Sequence, residues 1–492
     1  MVEWTKERKN RRTKERAISL LACSLVLAFL RSSVMSMHHQ TSVVSIIVLT
    51  CALIAGLFFF DLFSFPIILL LALTVIAVLV AGEKLWLGVL AIPLAIPIGM
   101  VTTVLINQSY RYEITAVEVL LLLLSIALAY AFFWHVVEWP ASHTIEVVMF
   151  VWLALAYTSL LWIVDGQKYL VAVRVFTYHF LAFMIAASLF THKRAREWAI
   201  PMVVVSAGCM AAQLVQTLAS LGSVSKILVD RSSIVTSVGP LATVVAILVL
   251  LLPFVVIQGY RTQGASRWLS WAVAVLSSIA VVASIGKAAI LIMILSMGYL
   301  FSNIGKGNVF LKRGLIIIAI GLVLGGSVSN IPQLIMERFA TVTSGATSQG
   351  RIEEASTGLL VFRRNIIHGV GAGNLKYYYQ RLLNGYNAES NVLVVQVAAE
   401  YGLIGLVLLG FLVFEIRKVL RGLHGHVIGH RDRLLLVAVR SSIVAMVLYS
   451  VFEVTFVALT YGILFWWLIG FLVAWEGSTN RHPNPILIHP NK

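Results

Sequence analysis

The sequence predicts an all-α, polytopic membrane protein with about 14 transmembrane helices and one large, partly helical extracytoplasmic loop. Of its 492 residues, 60% are hydrophobic and only 12% are charged. That charged fraction is about half of what globular chains carry, so the chain is expected to use lipid as its solvent. Apolar runs recur from end to end, and one long polar interruption separates them near residues 330–390.

Charge, cysteine content and missing motifs exclude several function classes. The net charge of +16 does not indicate nucleic acid, because Lys and Arg hold loops of membrane proteins on the cytoplasmic side. Cys23, Cys51 and Cys209 lie in apolar runs without CxxC spacing, so no disulfide framework or thiolate site is indicated. The sequence contains no GxxxxGK[ST], HExxH or DxD motif. We therefore expect no metal, no cofactor and no nucleic-acid partner.

The apolar runs give fifteen candidate spans, each near the length that crosses about 30 Å of hydrocarbon. They are placed at roughly 17–37, 42–60, 62–81, 85–106, 115–134, 144–164, 170–190, 199–219, 234–257, 268–285, 288–302, 313–329, 391–414, 434–452 and 460–476.

The side of the membrane is predicted from the basic linkers. Residues 193–197, 260–267, 305–313 and 415–433 are basic, and two candidate spans separate each from the next, so all four can be cytoplasmic. The basic N-terminus should also be cytoplasmic, which requires one candidate not to cross. The first run is the weakest because Arg31 interrupts it, and we expect an interfacial helix there.

This arrangement defines five regions. Residues 1–16 form a basic cytoplasmic N-terminus, and residues 17–329 form the N-terminal transmembrane helices. Residues 330–390 form the extracytoplasmic loop, residues 391–476 the C-terminal transmembrane helices, and residues 477–492 a cytoplasmic tail. The expected location is the bacterial cytoplasmic (inner) membrane, with both termini in the cytoplasm.

The loop contains one predicted amphipathic helix, from Arg351 to Ile367. Helical spacing places five apolar side chains along one face, namely Ile352, Ala355, Leu359, Phe362 and Ile366. Such a helix lies on the membrane or caps a cavity, and simple packing of an amphipathic face is equally compatible with the periodicity.

Cations are unusually frequent on the face where the topology rule favours few. They are Arg174, Arg231, Lys287, Arg338, Arg351, Arg363, Arg364, Lys376 and Arg381. Arg174 and Lys287 border apolar sequence, where a charge costs about 2.5–3.5 kcal/mol. Several cations around one wet pocket would bind a polyanion, and the planar fork of Arg suits phosphate. The alternative for Arg174 and Lys287 is that they snorkel to lipid headgroups.

A phosphate-binding outer pocket favours a donor whose leaving group is already in the membrane, such as a lipid-linked diphosphate. The segments that line this predicted pocket also resemble a known family. They read ERFA (337–340), GRIEEASTGLLVFRRNIIHGVGAGN (350–374), AESNVLVVQVAAEYGLIGL (388–406), DRSSIVTSVGPLATVVAILVLLLP (230–253) and VASIGKAAIL (282–291). Their order and predicted side resemble the bacterial O-antigen ligase and O-antigen polymerase superfamily over about residues 225–415.

The resemblance implies a membrane glycosyltransferase that moves glycan from a polyprenyl diphosphate to an acceptor hydroxyl, with inversion and without metal. Carried over by motif, Arg231, Lys287 and Arg351 would hold the diphosphate, and the position of Arg174 adds it to this set. Lys287 replaces the Arg that the family usually has in its Ser-Arg-Gly-Ala segment.

One departure from the family pattern concerns the base. Ligases of this family usually open the span after the loop with His next to Asn, whereas this chain has Glu389-Ser390-Asn391. Many polymerases carry a Glu-Ser pair there, which favours a polymerase. Glu389 could accept the acceptor's proton, or it could be a carboxylate that only stabilises a helix start. His368 is the alternative base.

Further residues of the loop are candidates for contacts with the glycan. Arg363, Arg364, Tyr378 and Tyr386 could bind sugars, although Arg–Glu ion pairs and an interfacial aromatic belt are alternatives. The glycines of the turn 369–373 are expected to allow a tight backbone turn.

The function predicted from these observations is polymerisation of lipid-linked repeat units of a surface polysaccharide. The alternatives are ligation of a finished glycan to a lipid or protein acceptor, and a flippase or exporter of the same lipid-linked glycan. The expected partners are the polyprenyl-diphosphate-linked donor, the glycan acceptor and the lipid bilayer, together with a chain-length regulator and a flippase of the same pathway.

Overall fold

The structure of the chain is a computed structural model that describes residues 84–107, 110–133, 144–220, 234–304, 346–383, 392–426, 429–452 and 458–481. All of these belong to one compact unit, Leu69–Lys492. Several predicted features lie outside the described residues. These are the first three candidate spans, the span at 313–329, Arg231, Tyr386 and Glu389.

The described residues are almost entirely helical. The helices are α1 (Trp86–Ala95), α2 (Ala116–Phe133), α3 (Thr144–Thr158), α4 (Gly166–Leu189), α5 (Lys193–Ser220), α6 (Leu241–Arg261), α7 (Ala265–Ala283), α8 (Lys287–Ile304), α9 (Ala346–Arg364), α10 (Leu375–Leu382), α11 (Leu393–His426), α12 (His430–Phe452) and α13 (Leu459–Arg481). Short 3₁₀ turns, Ile96–Ile98 and Ser159–Leu161, follow α1 and α3. Two antiparallel hairpins are formed by β1 (Met100–Asn107) with β2 (Tyr110–Thr115), and by β3 (Val235–Thr236) with β4 (Gly239–Pro240).

Ten helices in the described part of the chain are long and apolar enough to cross a membrane. They are α2 to α8 and α11 to α13. Two of them form the centre, because 94% of the most apolar window of α6 and 89% of that of α13 is buried inside the protein. α6 packs against α5, α7 and α12, and α13 packs against α4. The fold class is therefore a polytopic helical membrane protein, as predicted.

The predicted span at 85–106 is wrong over its second half. α1 ends at Ala95, a 3₁₀ turn follows, and the chain then enters β1. Pro93 and Pro97 each remove a backbone donor, and the β-branched run that follows favours a strand. The hydropathy of this segment does not distinguish an apolar helix from an apolar strand. The two hairpins adjoin, since the Met100 amide donates to the Ser237 carbonyl at 3.3 Å.

Three of the predicted basic linkers approach one another at one end of the helix bundle. Asp432, at the start of α12, interacts electrostatically with Arg196 at the start of α5 and Arg261 at the end of α6. Because successive helices run in opposite directions, the turn before α4 and the start of α8 lie at the other end. The predicted topology requires the basic linkers to lie on one side of the membrane, and these three lie at the same end of the bundle.

Candidate functional site

The site is built around a break in α11. Gly402 interrupts this helix with φ 64° and ψ −152°, so the backbone groups on either side lose their helical partners. The turn between α9 and α10 supplies new ones. The amides of Val370 and Gly371 donate to the carbonyls of Ala399 and Glu400 at 2.9 and 2.8 Å.

The same turn also accepts hydrogen bonds from the second half of α11. The amides of Leu403 and Ile404 donate to the carbonyls of Ile366 and Ile367 at 2.7 and 3.3 Å. A helix can be broken at membrane depth only where its freed polar groups find partners in the protein. The four bonds meet this condition and attach the loop to α11.

Two glycines allow this close approach. A Cβ on Gly369 would lie 2.3 Å from the carbonyl carbon of Glu400, and one on Gly402 would lie 2.4 Å from the carbonyl oxygen of Ile367. Both residues also have φ above 60°, in the region that favours glycine. The predicted role of the glycine turn as a tight backbone turn therefore agrees with the geometry, and its docking on α11 is an addition.

Asn374 attaches the turn to a third element. Its fully buried side chain accepts hydrogen bonds at Oδ1 from the amides of Val164 and Asp165 at 3.0 and 2.8 Å, and its Nδ2 donates to the Ala372 carbonyl at 3.1 Å. The Ala372 amide donates to the Ser159 hydroxyl at 3.1 Å. The loop is thus joined to the α3–α4 connection as well as to α11.

A groove of about 520 Å³ lies beside this junction. Its walls are mostly apolar and comprise Leu160, Val164, Asp165, Gly166, Gln167, Tyr169, Leu170 and Tyr377. At its rim the Lys168 ammonium donates to Gln380 of α10, lies 3.5 Å from the Asp165 carboxylate and sits 5.6 Å from the centre of the Tyr377 ring. The predicted diphosphate-binding residues are not among the residues that line it.

Helix α9 packs on the protein through a face other than its apolar stripe. Its buried side chains are Glu354 and Val361, and Gly358 lies against Val395 of α11 and Tyr379 of α10. Ile352, Leu359 and Ile366 of the predicted apolar stripe are 68%, 46% and 52% exposed. Ala355 and Phe362 of the stripe are partly buried. The stripe is therefore largely available to lipid, which is compatible with the predicted placement of this helix on the membrane, whereas the alternative of a face packed inside the protein does not hold.

The cations of α9 differ in their exposure. Arg351 is partly buried in the second turn of the helix, whereas Arg363 and Arg364 are exposed in its last turn. Cations near a helix C-terminus are favoured by the helix dipole, so the two arginines have a local structural reason to be there in addition to the predicted contact with glycan.

His368 and Tyr378 flank the glycine turn. The exposed His368 ring packs on Trp162 at a centroid distance of 5.0 Å, and its Nδ1 donates to the Gly369 carbonyl at 2.8 Å. In the neutral ring, Nε2 is then the nitrogen that can accept a proton. Tyr378 is half-buried against the small core around Tyr379.

Lys287 is the first residue of α8 and is partly buried. It follows a tight turn in which Ile285 has φ 53°, a strained conformation for a β-branched residue. The positive end of a helix dipole disfavours a cation at this position. A lysine held there by a strained turn fits an anion-binding role, because both the dipole and the side chain would attract phosphate.

Arg174 has a carboxylate partner that the sequence prediction missed. Its Nε donates to Glu118 Oε1 at 2.6 Å, and its Nη2 contacts Glu118 Oε2 at 2.5 Å and the Glu113 carbonyl at 2.6 Å. The Glu118 side chain is only 1% exposed. An acid in an apolar run is a signal for a buried partner, and Glu118 near the start of a candidate span could have been paired with Arg174 on that ground.

The predicted residues come together only in part. Arg351, Arg363, Arg364, His368 and Tyr378 belong to the loop that docks on α11, and Lys287 lies at the same end of the bundle. Sequence reasoning did not identify three residues that join the loop to the α3–α4 connection, namely Asn374, Ser159 and Lys168. In the part of the chain that the structure describes, no three His, Cys, Asp or Glu side chains are grouped to hold a metal ion.

Comparison with known proteins adds one finding. None of the curated proteins compared with the chain matches it, but residues 272–410 match the family model described as O-Antigen ligase. This segment runs from α7 through α8, α9 and α10 to the broken part of α11, and includes Lys287, Arg351 and Glu389. The chain is thus a multi-pass membrane protein whose residues 272–410 are similar to the O-Antigen ligase family, and this match supports the superfamily indicated by the sequence motifs.

Proposed function

We propose that this protein is a membrane glycosyltransferase that polymerises polyprenyl-diphosphate-linked repeat units of a surface polysaccharide on the outer face of the cytoplasmic membrane. The observation that supports this proposal most is how the elements of the matched region, residues 272–410, are arranged. The loop that bears Arg351 is fastened to the broken helix α11, at the end of the bundle where α8 begins with Lys287.

The proposed side of the membrane follows from charge. The linkers that contain Arg196, Arg261 and Asp432 come together, and the alternating direction of successive helices implies that they lie at the end opposite the loop. Since Lys- and Arg-rich linkers stay in the cytoplasm, the loop would face outward. Nucleotide-activated sugars are absent there, and a donor already anchored in the membrane fits the location.

The chemistry proposed is a single displacement. The acceptor hydroxyl oxygen forms a bond to the anomeric carbon while the bond from that carbon to the diphosphate oxygen breaks, which inverts the anomeric centre. The electron pair leaves with the diphosphate, where Lys287, Arg351 and Arg231 would offset the developing charge. The hydroxyl proton passes to a base, for which Glu389 is proposed and His368 is the alternative. No metal is required by this scheme.

The second candidate is a ligase, which transfers a finished glycan to a lipid or protein acceptor. The description of the matched family model favours it, whereas Glu389-Ser390 in place of the usual His favours the polymerase. The two activities predict different products in a strain that lacks the protein. Loss of a polymerase leaves single repeat units on the final acceptor, and loss of a ligase leaves full-length chains on the polyprenyl carrier.

The direct test uses the purified protein with a synthetic polyprenyl diphosphate oligosaccharide in the presence of a chelator, with product length as the readout. We expect wild-type protein to lengthen the chains. Lys287→Ala and Arg351→Ala should each reduce the rate by about 100-fold or more, as loss of one charge-stabilising group typically does. Arg381→Ala is the matched control, because it removes an exposed cation from the same loop. Full activity of both test variants would reject the site.

A further inference from the structure

A second charged region lies at the end of the bundle away from the loop. Arg196 of α5 and Arg261 of α6 are each half-buried. Both interact electrostatically with Asp432 of α12 and with Glu197 of α5, and Arg261 is also close enough to Arg431 to be repelled by it. We call these five residues the linker cluster, because they come from three separate interhelical linkers.

Cations outnumber carboxylates in and around the linker cluster. Lys193, Arg194 and Arg433 are its exposed neighbours along the chain, which gives six basic residues against Glu197 and Asp432. Burial and, secondarily, the charge of Arg196 lower the pKa of His192 below its ordinary value.

One arginine of the cluster is held in place by backbone. Nη1 of Arg196 donates to the carbonyls of Phe190 and Thr191 at 2.7 and 3.1 Å, at the end of α4. A guanidinium has five N–H donors in a fixed plane and can bind several acceptors at once. The end of α4 thus positions Arg196, and its other N–H groups can still bind an anion.

Exposed aromatic side chains place the cluster at the depth of the lipid headgroups. Trp268 near the start of α7 is 76% exposed, and Trp198 near the start of α5 is 39% exposed. The neighbouring Leu269 is 56% exposed. Tryptophans of membrane proteins gather at the boundary between hydrocarbon and water, and in this position the cluster faces phosphates of the bilayer.

We propose that the linker cluster binds the phosphate of an anionic phospholipid headgroup, with Arg261 and Arg196 as ligands and Asp432 as the carboxylate that limits affinity. The arginine forks match phosphate oxygens, and basic pockets between transmembrane helices are favourable sites for anionic headgroups. This site is separate from the proposed glycosyltransferase site and does not depend on it.

The test measures retained lipid. The full chain is reconstituted in nanodiscs of phosphatidylcholine with a minor fraction of phosphatidylglycerol, and native mass spectrometry counts phosphatidylglycerol carried through delipidation. Arg261→Gln should lower its retention about fivefold, which is the usual effect of one basic residue near an anionic surface. Asp432→Asn should raise retention. Arg421→Gln, an exposed arginine of α11 at the same end of the bundle, is the charge-matched control and should not change it.

Arg261→Lys keeps the charge and removes the planar fork, so it should retain an intermediate amount of lipid and also serves if the Gln variant does not fold. Equal losses in the Arg261 and Arg421 variants would overturn the proposal, because they would show a diffuse charge effect. Displacement of the lipid by millimolar inorganic phosphate would overturn it as well, since the site would then prefer a free anion.

Discussion

At the scale of single residues, Arg174 shows how a partner changes the interpretation of a charge. Its position near the outer face made it a candidate ligand of the diphosphate, yet two of its nitrogens contact the buried carboxylate of Glu118. Removal of one member of a buried ion pair leaves the other charge uncompensated in a low-dielectric site, at a cost of about 3–5 kcal/mol. Arg174 therefore has a structural duty that precedes any contact with substrate.

We predict that Arg174→Gln lowers the thermal stability of the purified protein strongly, because Glu118 loses its guanidinium. The double variant Glu118→Gln/Arg174→Gln should recover most of that stability, since it removes both charges. Thermal unfolding in detergent and chain extension are measured on the same samples. A single variant as stable as the wild type, combined with an inactive double variant, would show instead that Arg174 acts on the diphosphate.

Residue types and spacing were sufficient to find the cations but not their partners. Lys287 was identified because a charge next to apolar sequence is rare, and Glu118 could have been found by the same rule. Arg351 was identified as a cation on the predicted outer face and by its place in the family motif. Asn374 could not, because an asparagine that follows three glycines is common in loops. Its importance comes from the amides of Val164 and Asp165, which are about 210 residues away in sequence and are brought near only by the fold.

At the scale of elements, α9 shows what helical periodicity can and cannot predict. Its periodicity correctly indicated a helix with an apolar stripe, but the stripe is exposed and the helix packs through Glu354, Gly358 and Val361. Periodicity identifies an apolar face without identifying what covers that face. In a membrane protein, lipid can cover an apolar face. An apolar face therefore does not have to point into the protein interior, and that of α9 does not.

The exposed stripe predicts that α9 lies in the membrane interface. In a variant without native cysteines, Leu359→Cys should react slowly with a membrane-impermeant maleimide in proteoliposomes, and Glu353→Cys on the other side of the helix should react quickly. Both sites should react at similar rates in the unfolded protein. Rapid labelling of Leu359→Cys in the bilayer would contradict this placement and would leave the stripe available to a protein partner.

Elements with an unusual backbone were the hardest to predict. The segment after α1 has the hydropathy of a span, and only Pro93, Pro97 and Gly99 hint that the helix stops before β1. The break in α11 has an even weaker signal, because Gly402 is one of several glycines in an apolar run that is otherwise suited to a helix, and Gly405 and Gly410 do not break it. Its docking on the turn at residues 369–371 is a tertiary feature that no local pattern encodes.

At the scale of the whole molecule, the sequence predicted the class of fold and the grouping of three basic linkers. Composition alone required a lipid environment, and the spacing of linkers by pairs of spans agrees with the meeting of Arg196, Arg261 and Asp432. The number of spans is not tested, because the described residues contain ten helices that could cross and four candidate spans, the first three and the one at 313–329, lie outside them. Which face is cytoplasmic remains a prediction from charge.

That orientation can be measured in intact cells of a Gram-negative or Gram-positive host with a permeable outer layer. In the cysteine-free variant, Arg381→Cys on the loop should be labelled by an impermeant maleimide without lysis. Arg267→Cys at the start of α7 should be labelled only after the cells are opened. Both positions are exposed in the structure, so burial does not explain a difference. The reverse labelling pattern would place the loop in the cytoplasm and remove the basis for an extracytoplasmic transferase.

The break in α11 restricts how a sugar chain could arrive. If the turn at residues 366–371 moved away, two amides and two carbonyls of the break would lose their hydrogen-bond partners. Each group left unsatisfied at membrane depth would cost several kcal/mol. The four hydrogen bonds therefore favour a segment at residues 366–371 that stays attached to α11. In the proposed reaction, the incoming glycan would therefore meet this part of the loop as a fixed surface in every cycle.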